Sequence, residues 1–147
     1  MTTRLALAVA LSLGLALPAY AATPAAPAAS AAAQQANPFF AESPLPLHYP
    51  QFDRIKDSDF APAFDAGMAQ QLKEVDAIAN NTAKPTFENT IIALEKSGQV
   101  LDRATTVFFS LVGADTNDAR KKLQADYSAK FAAHSDAIAL NGKLFAR

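Results

Sequence analysis

The side chains able to do acid–base, nucleophilic or metal chemistry are few in this 147-residue chain, which has two histidines and no cysteine. Zinc hydrolysis needs two histidines one helical turn apart with a glutamate between them, so that one helix face holds both metal and base. His48 and His134 stand far apart in sequence and offer no such arrangement. His134 falls on an apolar helical spacing, and a core histidine hydrogen-bonded to a neighbour is the favoured reading over a metal ligand. Asp115-Thr116-Asn117-Asp118 begins like a calcium loop. Ala119 and Arg120, however, stand where that loop needs an oxygen ligand and a glycine, and Asp126 replaces its bidentate glutamate. A helix cap accounts for the same residues.

The remaining charged groups form no better constellation. Arg120-Lys121-Lys122 lacks interleaved aromatics and reads as a solvated helix face. Glu88 and Glu95 lie two turns apart on one helix, and Asp53, Asp57 and Asp59 gather around Lys56, with no nucleophile or acid partner beside them. None of the five glycines opens a phosphate-cradling loop. The expectation is therefore that this chain carries no catalytic, cofactor-binding or metal-ligating residue. Lys+Arg 13 against Asp+Glu 14 gives a formal charge of −1, too little field to recruit nucleic acid or an anionic membrane. Without cysteine, disulfide frameworks and thiolate sites are excluded.

The elements that would position any chemistry begin late in the chain. Residues 1–21 read as an export signal: Arg4 is the positive region, Leu5–Leu17 the apolar run, and Ala19-Tyr20-Ala21 the small-x-small cleavage pattern. That run reaches about 20 Å, short of a ~30 Å hydrocarbon core, so an export signal fits better than a permanent anchor. Residues 22–36 are an Ala/Pro-rich flexible spacer. From Asn37 to Gln51 four prolines forbid a regular helix. Phe39, Phe40, Leu45, Leu47 and Tyr49 would be costly to leave in water, so an extended strap lying over a helical body is expected.

Helical spacing follows. Phe60, Phe64, Met68, Leu72, Val75 and Ile78 mark a first helix capped by Asp57 or Ser58 and ended at Asn80-Asn81-Thr82. Thr86 caps a second, long helix whose stripe runs through Phe87, Ile91, Leu94, Gly98, Leu101, Thr105, Phe108 and Val112. Gly98 there reads as a point of close helix approach, and Asn89 leaves the capping box incomplete. Thr116 caps a third helix with Leu123, Tyr127, Phe131, His134 and Ile138 on its buried face. Lys143–Arg147 opens a fourth, at which the sequence reads as cut rather than finished. The expected architecture is all-α, an antiparallel bundle of three long helices plus the start of a fourth, preceded by the Pro-rich strap.

Several stretches then agree, in order, with one known family. Asn37-Pro38-Phe39, Ser43–Pro46, FDRIKDSDFAPAFDAGM from Phe52 to Met68 and PTFENTIIALEKSG from Pro85 to Gly98 resemble the amino-terminal region of the M3 zinc metallopeptidases. Ala77–Asn81, Ala114–Asn117, AAHSDAIALN from Ala132 and the closing LFAR point within that family to its bacterial peptidyl-dipeptidase branch. The resemblance covers residues 37–147. It implies a large helical enzyme that removes carboxy-terminal dipeptides from oligopeptides in a deep channel, with zinc held by an HExxH helix and a later glutamate. No such residues are present here, so the family's catalytic and zinc-binding roles transfer to none in this chain. These helices would supply scaffold and channel wall, inactive alone, for an exported, periplasmic enzyme whose partners are oligopeptides and the catalytic remainder of the same polypeptide. A free-standing helical binding or scaffold module, and a sister oligopeptidase of the family, are the alternatives.

Overall fold

The computed structural model describes residues 37–147; the export signal and spacer expected at 1–21 and 22–36 lie outside the described residues. The described residues form helices joined by short turns, with no strand among them. Helix α1 (Asp57–Ala79) is central, and α2 (Gln99–Ala114) and α3 (Asp118–Ala139) both pack against it more than against each other. A short α4 (Gly142–Ala146) closes the described chain, capped by the Asn141 side chain, which accepts from the Lys143 and Leu144 amides.

Local chemistry sets each boundary, with some departures from expectation. The cap of α1 is Lys56 rather than Asp57 or Ser58: its backbone N–H donates to Asp59 Oδ2 at 2.8 Å. Asp57 is left free to face another element. In α3 the cap is Asn117 rather than Thr116, and its side-chain oxygen accepts from the Arg120 amide at 2.8 Å. Thr86 does cap the next segment. Its Oγ1 accepts from the Asn89 amide at 3.1 Å, and Asn89 Oδ1 accepts from the Thr86 amide at 2.9 Å, so asparagine completes the box expected to be incomplete.

The largest departure is the second helix. The continuous stripe from Phe87 to Val112 is not one helix. Phe87–Ile92 is π-helical and runs into a single turn, Ala93–Glu95. The chain then reverses its local hand at Gly98, where φ is +74°, before α2 begins. A helix cannot propagate through a left-handed residue, and only glycine adopts that conformation without cost. Phe87 and Ile91, expected in the seam, are 62% and 46% exposed.

The core is a chain of aromatic rings. Phe60, Phe64 and Phe108 are fully buried, with Phe64 at the centre, 5.2 Å from Phe108, 5.1 Å from Tyr127 and 5.0 Å from Phe131. Edge-to-face rings at these distances add to the area they bury. Gly98 is a point of close approach, through the Gln71 side chain of α1, and Gly67 is a second that spacing did not single out: a Cβ on Gly67 would lie 2.8 Å from the Leu101 backbone nitrogen.

The strap is anchored at one end only. Phe39 is buried against Phe60, Asn37 Nδ2 donates to the Asp59 carbonyl at 2.8 Å, and Arg103 Nη2 donates to the Phe39 carbonyl at 3.0 Å. Leu45, Leu47 and Tyr49 are not buried as expected. Leu47 is 98% exposed, and Leu47 and His48 both have positive φ, at 57° and 55°. Four prolines within this short stretch restrict the backbone so much that the intervening side chains cannot all turn inward.

Candidate functional site

Interruption at Gly98 opens a concavity. The turn Lys96–Gly98 is tied to α1, because the Gly98 amide donates to Glu74 Oε2 at 2.7 Å and the Gln71 side chain fills the space a Cβ on Gly98 would need. Since α2 restarts beyond this turn and α3 barely touches α2, a cleft of about 660 Å³ is left between the turn, α2 and α3. Asp102, Thr105, Thr106 and Phe109 line it from α2 at the spacing of one helix face, and Phe131 and His134 line it from α3.

His134 is buried, as its apolar spacing implies, and its Nε2 lies 2.7 Å from Gln71 Oε1. An amide oxygen only accepts, so Nε2 carries the proton and donates. The other ring nitrogen, Nδ1, is then an acceptor, and it is buried without a partner. Burial lowers the pKa of the ring below 6.5, so the imidazole is neutral in the fold. Glu95 and Asp102 also line the cleft, make no ion pair among the described residues, and face no lining lysine or arginine.

The other candidate groups are scattered. His48 sits exposed in the strap, with Nδ1 3.1 Å from the Ser43 carbonyl and Nε2 3.6 Å from Glu42. Asp53, Asp57 and Asp59 do not act together: Asp59 caps α1, whereas Asp57 accepts from Arg120 Nε and Asn117 Nδ2, each at 2.7 Å. The hydrogen bond from Asn117 and the pairing with Arg120 hold the Asp57 carboxyl below the usual value, against the opposing effect of its burial. Arg120 is therefore not part of a solvated face. Its side chain is only 15% exposed and joins α3 to the start of α1. The signal was present in the sequence, because Arg120 extends the buried spacing of Leu123 and Tyr127 by one step of three.

Zinc does not fit these residues. Among the described residues no group of three or more histidine, cysteine, aspartate or glutamate side chains lies together. The histidine best placed by burial spends its Nε2 on Gln71. What the arrangement offers is recognition: carboxylates, hydroxyls and aromatic rings around an open cleft, with a neutral imidazole in its wall.

No protein-family model matches the chain. Over 111 residues, 76% of its length, it is 50% identical to the dipeptidyl carboxypeptidase of Salmonella typhimurium. It is 49% identical to the dipeptidyl carboxypeptidase of Escherichia coli over the same extent. The chain spans 16% of the length of these curated relatives. Both carry the activity name that the resemblance to bacterial peptidyl-dipeptidases implied, and that recognition stands.

Proposed function

We propose that residues 37–147, similar over their length to part of the dipeptidyl carboxypeptidases, are the helical scaffold and channel wall of an exported M3-type zinc metallopeptidase that releases carboxy-terminal dipeptides from oligopeptides. The observation that carries this reading is the 50% identity over 111 residues. Two further features support it. The fold is helical around one aromatic core, as a wall element requires. The described surface also leaves large apolar side chains in water, Phe87, Leu140 and Phe145 among them. Groups of exposed apolar residues mark surfaces that pack against more protein.

No step of peptide cleavage is assigned to these residues, because the described part of the chain does not fit the metal. Their contribution is to hold helices α1, α2 and α3 at fixed separations and to present side chains to the substrate path. The residues that hold zinc and move protons belong to another part of the polypeptide. The apolar run and Ala19-Tyr20-Ala21 support export to the periplasm. Two measurements test the reading together. The purified 147-residue chain is expected to retain no stoichiometric zinc and to release no dipeptide from an amino-blocked oligopeptide. The coding sequence beyond Arg147 is expected to encode HExxH downstream. Zinc-dependent turnover by the chain itself would overturn the assignment of a purely structural role.

A further inference from the structure

Two short helical segments of the described chain are built inside out. A surface helix ordinarily turns its apolar side chains onto protein and its charges to water. Around α4 the reverse holds. Lys143 Nζ donates to Asn80 Oδ1 at 2.7 Å, and the Arg147 guanidinium donates to the Ala83 carbonyl at 3.2 Å, to Asn89 Oδ1 at 3.0 Å and to the Asn81 carbonyl. Phe145, between the two cations, is 92% exposed. The π-helical Phe87–Ile92 repeats the pattern. Its Asn89 accepts from the Thr86 amide and from Arg147 and donates to the Lys84 carbonyl, whereas Phe87 and Ile91 stand in water. These two segments wall one groove of about 440 Å³, where Phe87, Ile91, Leu94, Leu144, Phe145 and Arg147 meet. Among the described residues Arg147 is the one charged group in that lining, and its guanidinium is already bonded to three oxygens. The groove therefore suits an apolar guest and not an ion.

We propose that this groove seats the apolar stripe of a helix from the part of the polypeptide outside residues 1–147, and is the joint between the described helices and the rest of the peptidase. The assignment rests on the peptidase reading for the existence of that remainder. The chain spans 16% of the length of its curated relatives, so an enzyme of their kind has ample polypeptide to cover the groove. Arg147 itself lines the groove, so a residue following it in such an enzyme departs from the groove's rim and is held beside it at high effective concentration. A helix is the fitting guest, because helical layers bury their stripes on one another, and a groove between two helical walls takes apolar anchors three and four residues apart. A second copy of this chain fits less well. Its long helices already bury their own stripes in the aromatic core and have none to insert.

The test compares the 147-residue chain with the Salmonella typhimurium enzyme in which residues 37–147 replace the matching stretch. Hydroxyl-radical oxidation of phenylalanine, mapped by peptide mass spectrometry, reads burial ring by ring, with the fully buried Phe64 as the protected reference. In the 147-residue chain Phe145 is expected to react much faster than Phe64. In the chimera Phe87 and Phe145 are expected to lose most of that reactivity and approach Phe64. A folded chimera whose Phe145 reacts as fast as in the 147-residue chain would overturn the proposal. So would a Phe145 already protected in the 147-residue chain: protection that grows with concentration assigns the groove to a second copy, and protection independent of concentration assigns it to residues 1–36. Phe145→Ser gives a second readout. It is expected to lower the melting temperature of the chimera by about 2 °C and to leave that of the 147-residue chain unchanged. Equal shifts in the two proteins would count against the joint. Dipeptide release by the chimera separates the two levels. Release with a reactive Phe145 removes the joint and keeps the peptidase reading, whereas a protected Phe145 without release keeps the joint and removes that reading.

Discussion

Replacing Gly67 by alanine adds one methyl group at the closest approach of two helices. That methyl would lie 2.8 Å from the Leu101 backbone nitrogen, 2.9 Å from its Cα and 3.0 Å from its Cβ. Ordinary van der Waals contact starts at 3.4 Å, so the helices must separate by several tenths of an ångström. The obstructing atoms are mainly backbone, so no rotamer change can relieve them. Separation would loosen the contact on which Phe60, Phe64 and Phe108 close the core. Overpacking of this kind costs about 1–3 kcal/mol. Alanine in a helix interior returns up to about 1 kcal/mol relative to glycine. The expected balance is a loss of about 1–2 kcal/mol, or a melting temperature lower by roughly 4–10 °C for a domain of this size. Gly113→Ala is the control: nothing lies within 4 Å of its Cβ position, and its helical site should gain up to about 1 kcal/mol. Thermal unfolding followed by circular dichroism reads both. A Gly67→Ala variant that melts at or above the parent temperature would refute the close-packed geometry on which the fold rests.

Two other responses follow from the structure. Stability should fall with acid in two separate stages. His134 has a folded pKa below 6.5, so the unfolded chain binds the proton more readily and stability drops as pH falls below 6.5, levelling off once the folded ring also protonates. Asp57 has a folded pKa below 3.8, so its contribution is complete above 3.8 and is lost as pH falls through the folded value. Urea midpoints against pH should lose the upper stage in His134→Gln and the lower stage in Asp57→Asn; either stage persisting in its variant contradicts the assignment. Leu47→Gly should stabilise by up to about 1 kcal/mol, since the side chain is 98% exposed and a non-glycine residue at φ 57° is strained. Leu45→Gly, at an ordinary φ of −72° and 41% exposed, should instead destabilise. Destabilisation by both to the same degree would argue against strain at Leu47.

The helices at Asp57–Ala79 and Asp118–Ala139 were legible because apolar residues three and four apart can only share a face in a helix, and because Asn80-Asn81 stops the first. The break at Gly98 was not legible. A left-handed glycine and a π-helical stretch preserve the spacing of Phe87, Ile91, Leu94 and Leu101, so periodicity alone reads through them. Spacing singled out Gly98 but not Gly67, which faces the Leu101 backbone, a contact that only the packed pair of helices reveals. The strap divides in the same way. Phe39 is pinned by hydrogen bonds from Arg103, far along the chain, whereas Leu47 has no such partner and stays in water. At the candidate site, the burial of His134 followed from its position on an apolar face. The carboxylates Glu95 and Asp102 had no such signature, since they line one cleft with His134 only because of the turn at Gly98.

The claim that this region performs the same structural task as its counterpart in the dipeptidyl carboxypeptidases is tested most directly by exchange. The matching stretch of the Salmonella typhimurium enzyme is replaced with residues 37–147 of this chain, and dipeptide release from an amino-blocked oligopeptide is measured by mass spectrometry. The expected result is a folded chimera that releases carboxy-terminal dipeptides, and that melts at a lower temperature when Gly67→Ala is introduced. A folded, zinc-loaded chimera that releases no dipeptide would contradict it.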